Sequence, residues 1–175
     1  GGVSVKQACE KNNIDFDTLT AELNQLEGKT SFLNDYNKWE LDFLIDFIQN
    51  THHKYVEKNL TLLKQYGDKV AKVHGNKHVE LLEIQKLIHT VSDELTTHMK
   101  KEELILFPFI KKLVQAKKDH STVEIPHFET VNNPIQMMEE EHDHAGDIFK
   151  RLSELTNTYQ TPEDACNTFK ALYAK

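Results

Sequence analysis

At 175 residues the chain is long enough for one domain with a substantial core, or for a small module beside a larger one. A hydrophobic fraction of 38% and a charged fraction of 28% are those of a globular protein, and a formal net charge of −7 argues against nucleic acid or an anionic membrane as the main partner. No apolar run approaches the ~20 residues that a bilayer requires, two distant cysteines (Cys9, Cys166) suit a reducing cytoplasm better than a disulfide scaffold, and ten histidines with only four prolines and six glycines favour helices over turn-rich β structure.

Ser4 can cap a short helix running to about Asn12, and Asp15 or Asp17 a second one through Leu19, Leu23 and Leu26. Gly28 to Asn37 reads as a polar linker. A long helix follows from about Lys38 to Lys72, with Leu41, Leu44, Ile45, Ile48, Val56, Leu60 and Leu63 on its apolar face; Gly75-Asn76 breaks it. A second runs from about Val79 to Val114 through Leu81, Ile84, Ile88, Val91 and Leu95, with a kink expected at Pro108. Residues 115–131 read as a loop. A third helix starts near Pro134, capped by Asn133, and carries Ile135, Met138, His142, Ala145, Phe149 and Leu152. Thr161-Pro162-Glu163-Asp164 has the residues of another helix start, leading to Cys166, Phe169, Leu172 and Tyr173. No segment reads as a strand, so the expected fold is all-α, an antiparallel helical bundle.

Chemistry enters where ionisable groups fall on apolar stripes. His98 and Glu102, at i and i+4, share the face of Val91, Leu95, Ile105, Leu106 and Phe109. An imidazole and a carboxylate aimed into a core need a compensating partner. His142 lies on the stripe of the third helix. On the first, His53 and His52 are both candidates, and periodicity slightly prefers His52. A single histidine on an apolar face is ordinarily a core-edge residue with a hydrogen bond; three on successive helices, with a glutamate one turn from one of them, favour a metal site for iron, manganese or zinc. Too few cysteines are present for a Cys-rich structural zinc site. Glu103, Glu141, Asp143 and the histidines at 78, 89, 120, 127 and 144 are expected to face solvent, and Phe107 and Phe109 to be packing.

These motifs resemble a known family. The run from Glu94 to Glu103 with Ile105-Leu106-Phe107-Pro108 resembles the second-helix signature of the iron–sulfur cluster repair di-iron proteins (the repair of iron centres family). Met138 to Gly146 is similar to that family's third-helix motif, and Lys72-Val73-His74-Gly75 and Pro162 to Phe169 also fit its pattern. The resemblance implies a hemerythrin-like antiparallel four-helix bundle with a non-haem di-iron centre. Its metal ligands would be His53, His98, the bridging Glu102 and His142, with His74 as a lesser contributor; the family register from Ile45 through His53 selects His53 over His52. It further implies that residues 1–30 are the remnant of a small N-terminal helical domain and that 38–175 form the bundle, incomplete at the C-terminus. A further histidine and a second bridging glutamate are expected beyond Lys175, or a second copy, as a homodimer, completes the bundle. The implied role is cytoplasmic and stress-linked: restoring iron–sulfur clusters damaged by nitric oxide or peroxide, by iron delivery or by nitric oxide chemistry. Its partners would be the damaged iron–sulfur proteins, with nitric oxide or oxygen species as small ligands. Whether that makes the protein an enzyme is left open. The alternatives are a hemerythrin-like oxygen or iron sensor or carrier, and a metal-free helical interaction module.

Overall fold

The structure is a computed structural model describing residues 5–12, 14–27 and 35–175. Contacts divide the chain into two compact units, Gly1–Trp39 and Glu40–Lys175. In the first, α1 spans Val5–Lys11 and α2 spans Phe16–Glu27. Asp15 is the cap anticipated for α2: its Oδ2 accepts from the Thr18 backbone N–H (2.8 Å) and from the Thr18 hydroxyl (2.6 Å). Ser4 and most of the expected linker lie outside the described residues.

The second unit is built on two long helices, each interrupted by a π-helical turn. The first consists of α3 (Leu41–Phe47), a π turn (Ile48–His53) and α4 (Lys54–His74). The second consists of α5 (Glu80–Lys101), a π turn (Glu102–Leu106) and α6 (Phe107–Asp119). Cross-links fix them antiparallel: Asp42 with Lys118, Asp46 with Lys111, Lys64 with Asp93, Asp68 with His89. The third helix, α7 (Asn132–Leu155), returns antiparallel to α5, tied by Arg151 to Glu83 and His144 to Glu94.

The helix bounds and breaks differ from expectation in the second long helix and before α8. The second helix runs past Val114 to Asp119, where His120 adopts the left-handed conformation (φ 52°) that ends it. Where a kink at Pro108 is expected, a π turn (Glu102–Leu106) lies just before it and Pro108 sits in the first turn of α6. Thr161 does not begin a helix: residues 162–165 form a turn closed by Ala165 N–H to Pro162 C=O (3.0 Å), and α8 (Asn167–Tyr173) starts after Cys166.

Side chains of α4, α5, α7 and α8 form the main core around Val70, Leu81, Ile88, Val91, Ile148, Leu152 and Phe169. A second cluster joins Ile45, Leu106, Phe107 and Met138. Each long helix thus passes from one cluster to the other, and between them lies a polar layer: His53 on the first, His98 and Glu102 on the second, Glu141 and His142 on the third. Full burial of each large apolar side chain contributes about 1.5–3 kcal/mol, enough to hold such a layer in place. Among the described residues no helix is long and apolar enough to cross a membrane.

Candidate metal centre

The first π turn decides which histidine faces inward. A 3.6-residue repeat drawn from Ile45 and Ile48 points to His52; the wider turn adds a residue and brings His53 inward instead. His53 is buried, and its ring stacks on Phe107 with centroids 5.7 Å apart. His52 is exposed, edge-on to Phe47.

His53 Nδ1 is 2.7 Å from Glu103 Oε1, and its Nε2 is 3.0 Å from Glu102 Oε2. His98, only 3% exposed, repeats the pattern: Nδ1 is 2.8 Å from Glu141 Oε2, and Nε2 is 3.5 Å from the same Glu102 Oε2. An ionised carboxylate only accepts, so Glu103 and Glu141 draw the ring proton of each neutral imidazole to Nδ1. Both Nε2 lone pairs then face one carboxylate oxygen, and the buried Nε2 of His98 has no hydrogen-bond partner. Three electron-rich atoms in close contact need a cation between them, a proton or a metal ion. Donors about 2.1 Å from a common ion are about 3.0–3.4 Å apart at angles from octahedral to tetrahedral, which is close to the spacing seen. Each histidine–glutamate pair therefore has the spacing of two donors on one ion. The fit rests on this contact rather than on a closed cage, because among the described residues no group of three or more His, Cys, Asp or Glu side chains is gathered tightly enough to hold an ion.

Glu103 and Glu141, expected in solvent, instead orient the two imidazoles. Burial works to raise the Glu141 carboxyl, but the Lys101 ammonium and the His98 imidazole outweigh it and hold the group below its ordinary value. The signal available in the sequence was adjacency: each of these glutamates sits one residue from a predicted ligand. His142 is exposed, its ring centroid 4.4 Å from that of His98. The buried stripe of α7 is Met138, Ala145, Ile148 and Leu152, with Glu141 half-buried on it, while Ile135 and Phe149 are exposed. The inward face is thus rotated by one residue from the expected one. Ile105 likewise turns outward and Phe107 inward, because the π turn resets the register after Glu102. His74 is not brought to this layer: it ends α4, 21 residues from His53, or roughly 31 Å at 1.5 Å per residue. His89, His78 and His144 pair with carboxylates, and His120 and His127 are exposed. An open cleft of about 550 Å³ between α5 and α7, lined by Glu94, His98, Glu140 and Glu141 among others, connects the layer to solvent.

Comparison with known proteins meets this geometry. Residues 44–174 match the family model described as the hemerythrin HHE cation binding domain. The chain is 30% identical over 174 residues to the iron-sulfur cluster repair protein ScdA of Staphylococcus haemolyticus, covering 99% of this chain and 74% of that one. It is 33% identical over 173 residues to the iron-sulfur cluster repair protein YtfE of Yersinia pseudotuberculosis, covering 99% and 72%. The YtfE protein of Yersinia pestis gives the same identity and coverage.

Proposed function

The chain belongs to the hemerythrin HHE cation-binding family, and we propose that it is an iron–sulfur cluster repair protein whose polar layer holds non-haem iron. The observation that carries this reading is the contact of two imidazole Nε2 atoms with one oxygen of Glu102. His53, His98 and Glu102 would hold the metal, with His142 beside His98 as a further donor; in the di-iron form of the reading, Glu102 is the bridging carboxylate. Bound through imidazole and carboxylate rather than thiolate, iron would be exchangeable and would offer an open position to a small ligand such as nitric oxide or an oxygen species.

The chain's own residues prepare that centre. Glu103 and Glu141 fix both ring tautomers, leaving Nε2 free to bind. Lys101 pairs with Glu141, so that carboxylate stays a hydrogen-bond acceptor for His98. Phe107 covers one face of His53 and limits its access to water. The partners in this reading are iron–sulfur proteins with damaged clusters.

The test is to load the reduced protein anaerobically with ferrous iron, count the bound metal, and add the protein to a nitrosylated or oxidised iron–sulfur enzyme. Recovery of client activity is expected, and is lost in His98→Ala. Iron bound without recovery would leave an oxygen or iron carrier as the better reading. No iron bound, with the fold unchanged in His98→Ala, would leave a helical interaction module.

A further inference from the structure

Where α5 faces α7, one ammonium serves two partners of different kinds. Lys101, the last residue of α5, ion-pairs with Glu141, and its Nζ also lies 4.0 Å from the sulfur of Met137. Met137 precedes Glu141 by one turn of α7, so both reach the same ammonium from one face of that helix. The chain has three methionines. Met99 and Met138 are 9% and 6% exposed and pack as core, whereas Met137 is 50% exposed. Met137 also lines two openings: the cleft of about 550 Å³ that reaches His98, and a smaller apolar pocket of about 150 Å³ bounded by Ile105, Leu106, His127 and Phe128. Core packing does not account for this placement. A half-exposed thioether buries little surface, and its sulfur is a weak acceptor for an ammonium.

We propose that Met137 is an oxidation site, where hydrogen peroxide transfers one oxygen atom to the sulfur with Lys101 assisting, and that the sulfoxide then shares the ammonium with Glu141. The sulfur lone pair attacks one oxygen of the peroxide as the O–O bond breaks. That oxygen stays on sulfur in a new S–O bond, and the other departs as hydroxide. The hydroxide takes the proton of the transferred oxygen, so thioether and peroxide become sulfoxide and water. The sulfur loses two electrons, the peroxide gains them, and nothing else is consumed. Lys101 hydrogen-bonds to the departing hydroxide, where negative charge develops, and keeps its three protons. The product oxygen is a strong acceptor where the thioether was a weak one, and one S–O bond brings it towards Nζ. Lys101 is the cation that holds Glu141, and Glu141 is the acceptor that orients His98. Oxygen transfer at an exposed side chain is thereby felt by the buried pair behind it. The chemistry needs no metal and goes beyond the repair reading.

The experiment exposes the whole, metal-free protein to hydrogen peroxide near neutral pH and follows each methionine by peptide mass mapping, with N-acetylmethioninamide as a fully exposed standard. Met137 should react about tenfold faster than Met99 and Met138, and at least as fast as the standard although it is half covered. Lys101→Leu should slow Met137 about two- to fivefold and leave the other two methionines unchanged, and Lys101→Arg should restore the rate. Equal rates at the three methionines, or a Met137 slower than the standard, would overturn the proposal; both are read on the wild type and hold even if a variant fails to fold. A folded Lys101→Leu protein that oxidises Met137 as fast as wild type would overturn it too. In protein oxidised at Met137 alone, Glu141→Gln should cost less in thermal unfolding than it does in the reduced protein, and an equal cost would overturn the sharing of Lys101.

Discussion

Glu102→Gln separates the demands of folding from those of metal binding at one atom. In the metal-free protein Glu102 Oε2 lies 3.0 Å from His53 Nε2 and 3.5 Å from His98 Nε2, with a carboxylate only 14% exposed, and neither nitrogen donates to it while Glu103 and Glu141 hold the ring protons at Nδ1. An amide in the same place presents two N–H donors, one for each ring. Satisfying a buried acceptor recovers about 1–3 kcal/mol. For a chain of this size, each kcal/mol moves the melting temperature by about 2–4 °C. Metal acts in the opposite direction: at a free concentration 1,000 times the dissociation constant, an ion that binds only the native state stabilises it by about 4.1 kcal/mol, and the variant forgoes that gain. The order of stability should therefore invert. In chelator Glu102→Gln melts several degrees above wild type; in saturating ferrous iron it melts below. Thermal unfolding followed by far-ultraviolet circular dichroism under both anaerobic conditions measures this directly. If the variant melted lower in chelator, or if iron raised both proteins equally, the reading of Glu102 as a carboxylate awaiting a cation would be wrong.

Three further outcomes follow from the same geometry. Glu141→Ala leaves the buried Nδ1–H of His98 without its acceptor, which should weaken iron binding about 10–100-fold; Glu141→Gln, which keeps an acceptor oxygen, should lose much less, as read by metal titration. A Cβ at Gly75 would lie 2.3 Å from the Ala71 carbonyl oxygen, so Gly75→Ala should cost about 1–3 kcal/mol in denaturant unfolding, and Ala71→Gly should not rescue it because the clash is with backbone. The depressed carboxyls of Glu141 and Asp164, the latter at about 2, bind protons less readily in the native state than in the unfolded one. Their contribution to stability is thus fully present above their ordinary values and is lost as pH falls towards 2. Lys77→Ala should flatten the lowest part of that acid-unfolding curve.

How far the sequence could be read depended on whether the helix stayed regular. The stripe Leu81, Ile84, Ile88, Val91 keeps a 3- and 4-residue spacing and is buried as expected, because nothing along it disturbs the 3.6-residue repeat. The same rule misplaced Ile105 and preferred His52, since each follows or lies within a π turn that no apolar pattern announces. On α7 the expected stripe mixed two faces: Met138, Ala145 and Leu152 are shared by both, while Glu141 and Ile148 turn inward in place of the expected His142 and Phe149. The Thr161-Pro162-Glu163-Asp164 signal had every local mark of a helix start, yet Asp164 is bound to Lys77 and His78, contacts more than 80 residues away in sequence that no local pattern encodes. Glu103 and Glu141 were missed for the same reason, since their partners lie on other helices.

The two π turns also account for the shape of the centre. One imidazole, His53, is held at both nitrogens by consecutive residues, Glu102 at Nε2 and Glu103 at Nδ1. Successive side chains on a regular α-helix diverge by about 100°, which makes it hard for neighbours to reach two sides of one ring. The looser π turn that begins at Glu102 relaxes that constraint, and the π turn ending at His53 swings the ring to meet them. Such turns give up regular hydrogen bonding and are uncommon without a return elsewhere in the structure. Here both fall in the polar layer, one ending at His53 and the other beginning at Glu102. The places where a regular helical reading breaks down are therefore the places that set the donor atoms, and that coincidence is a structural argument for a bound cation separate from family membership.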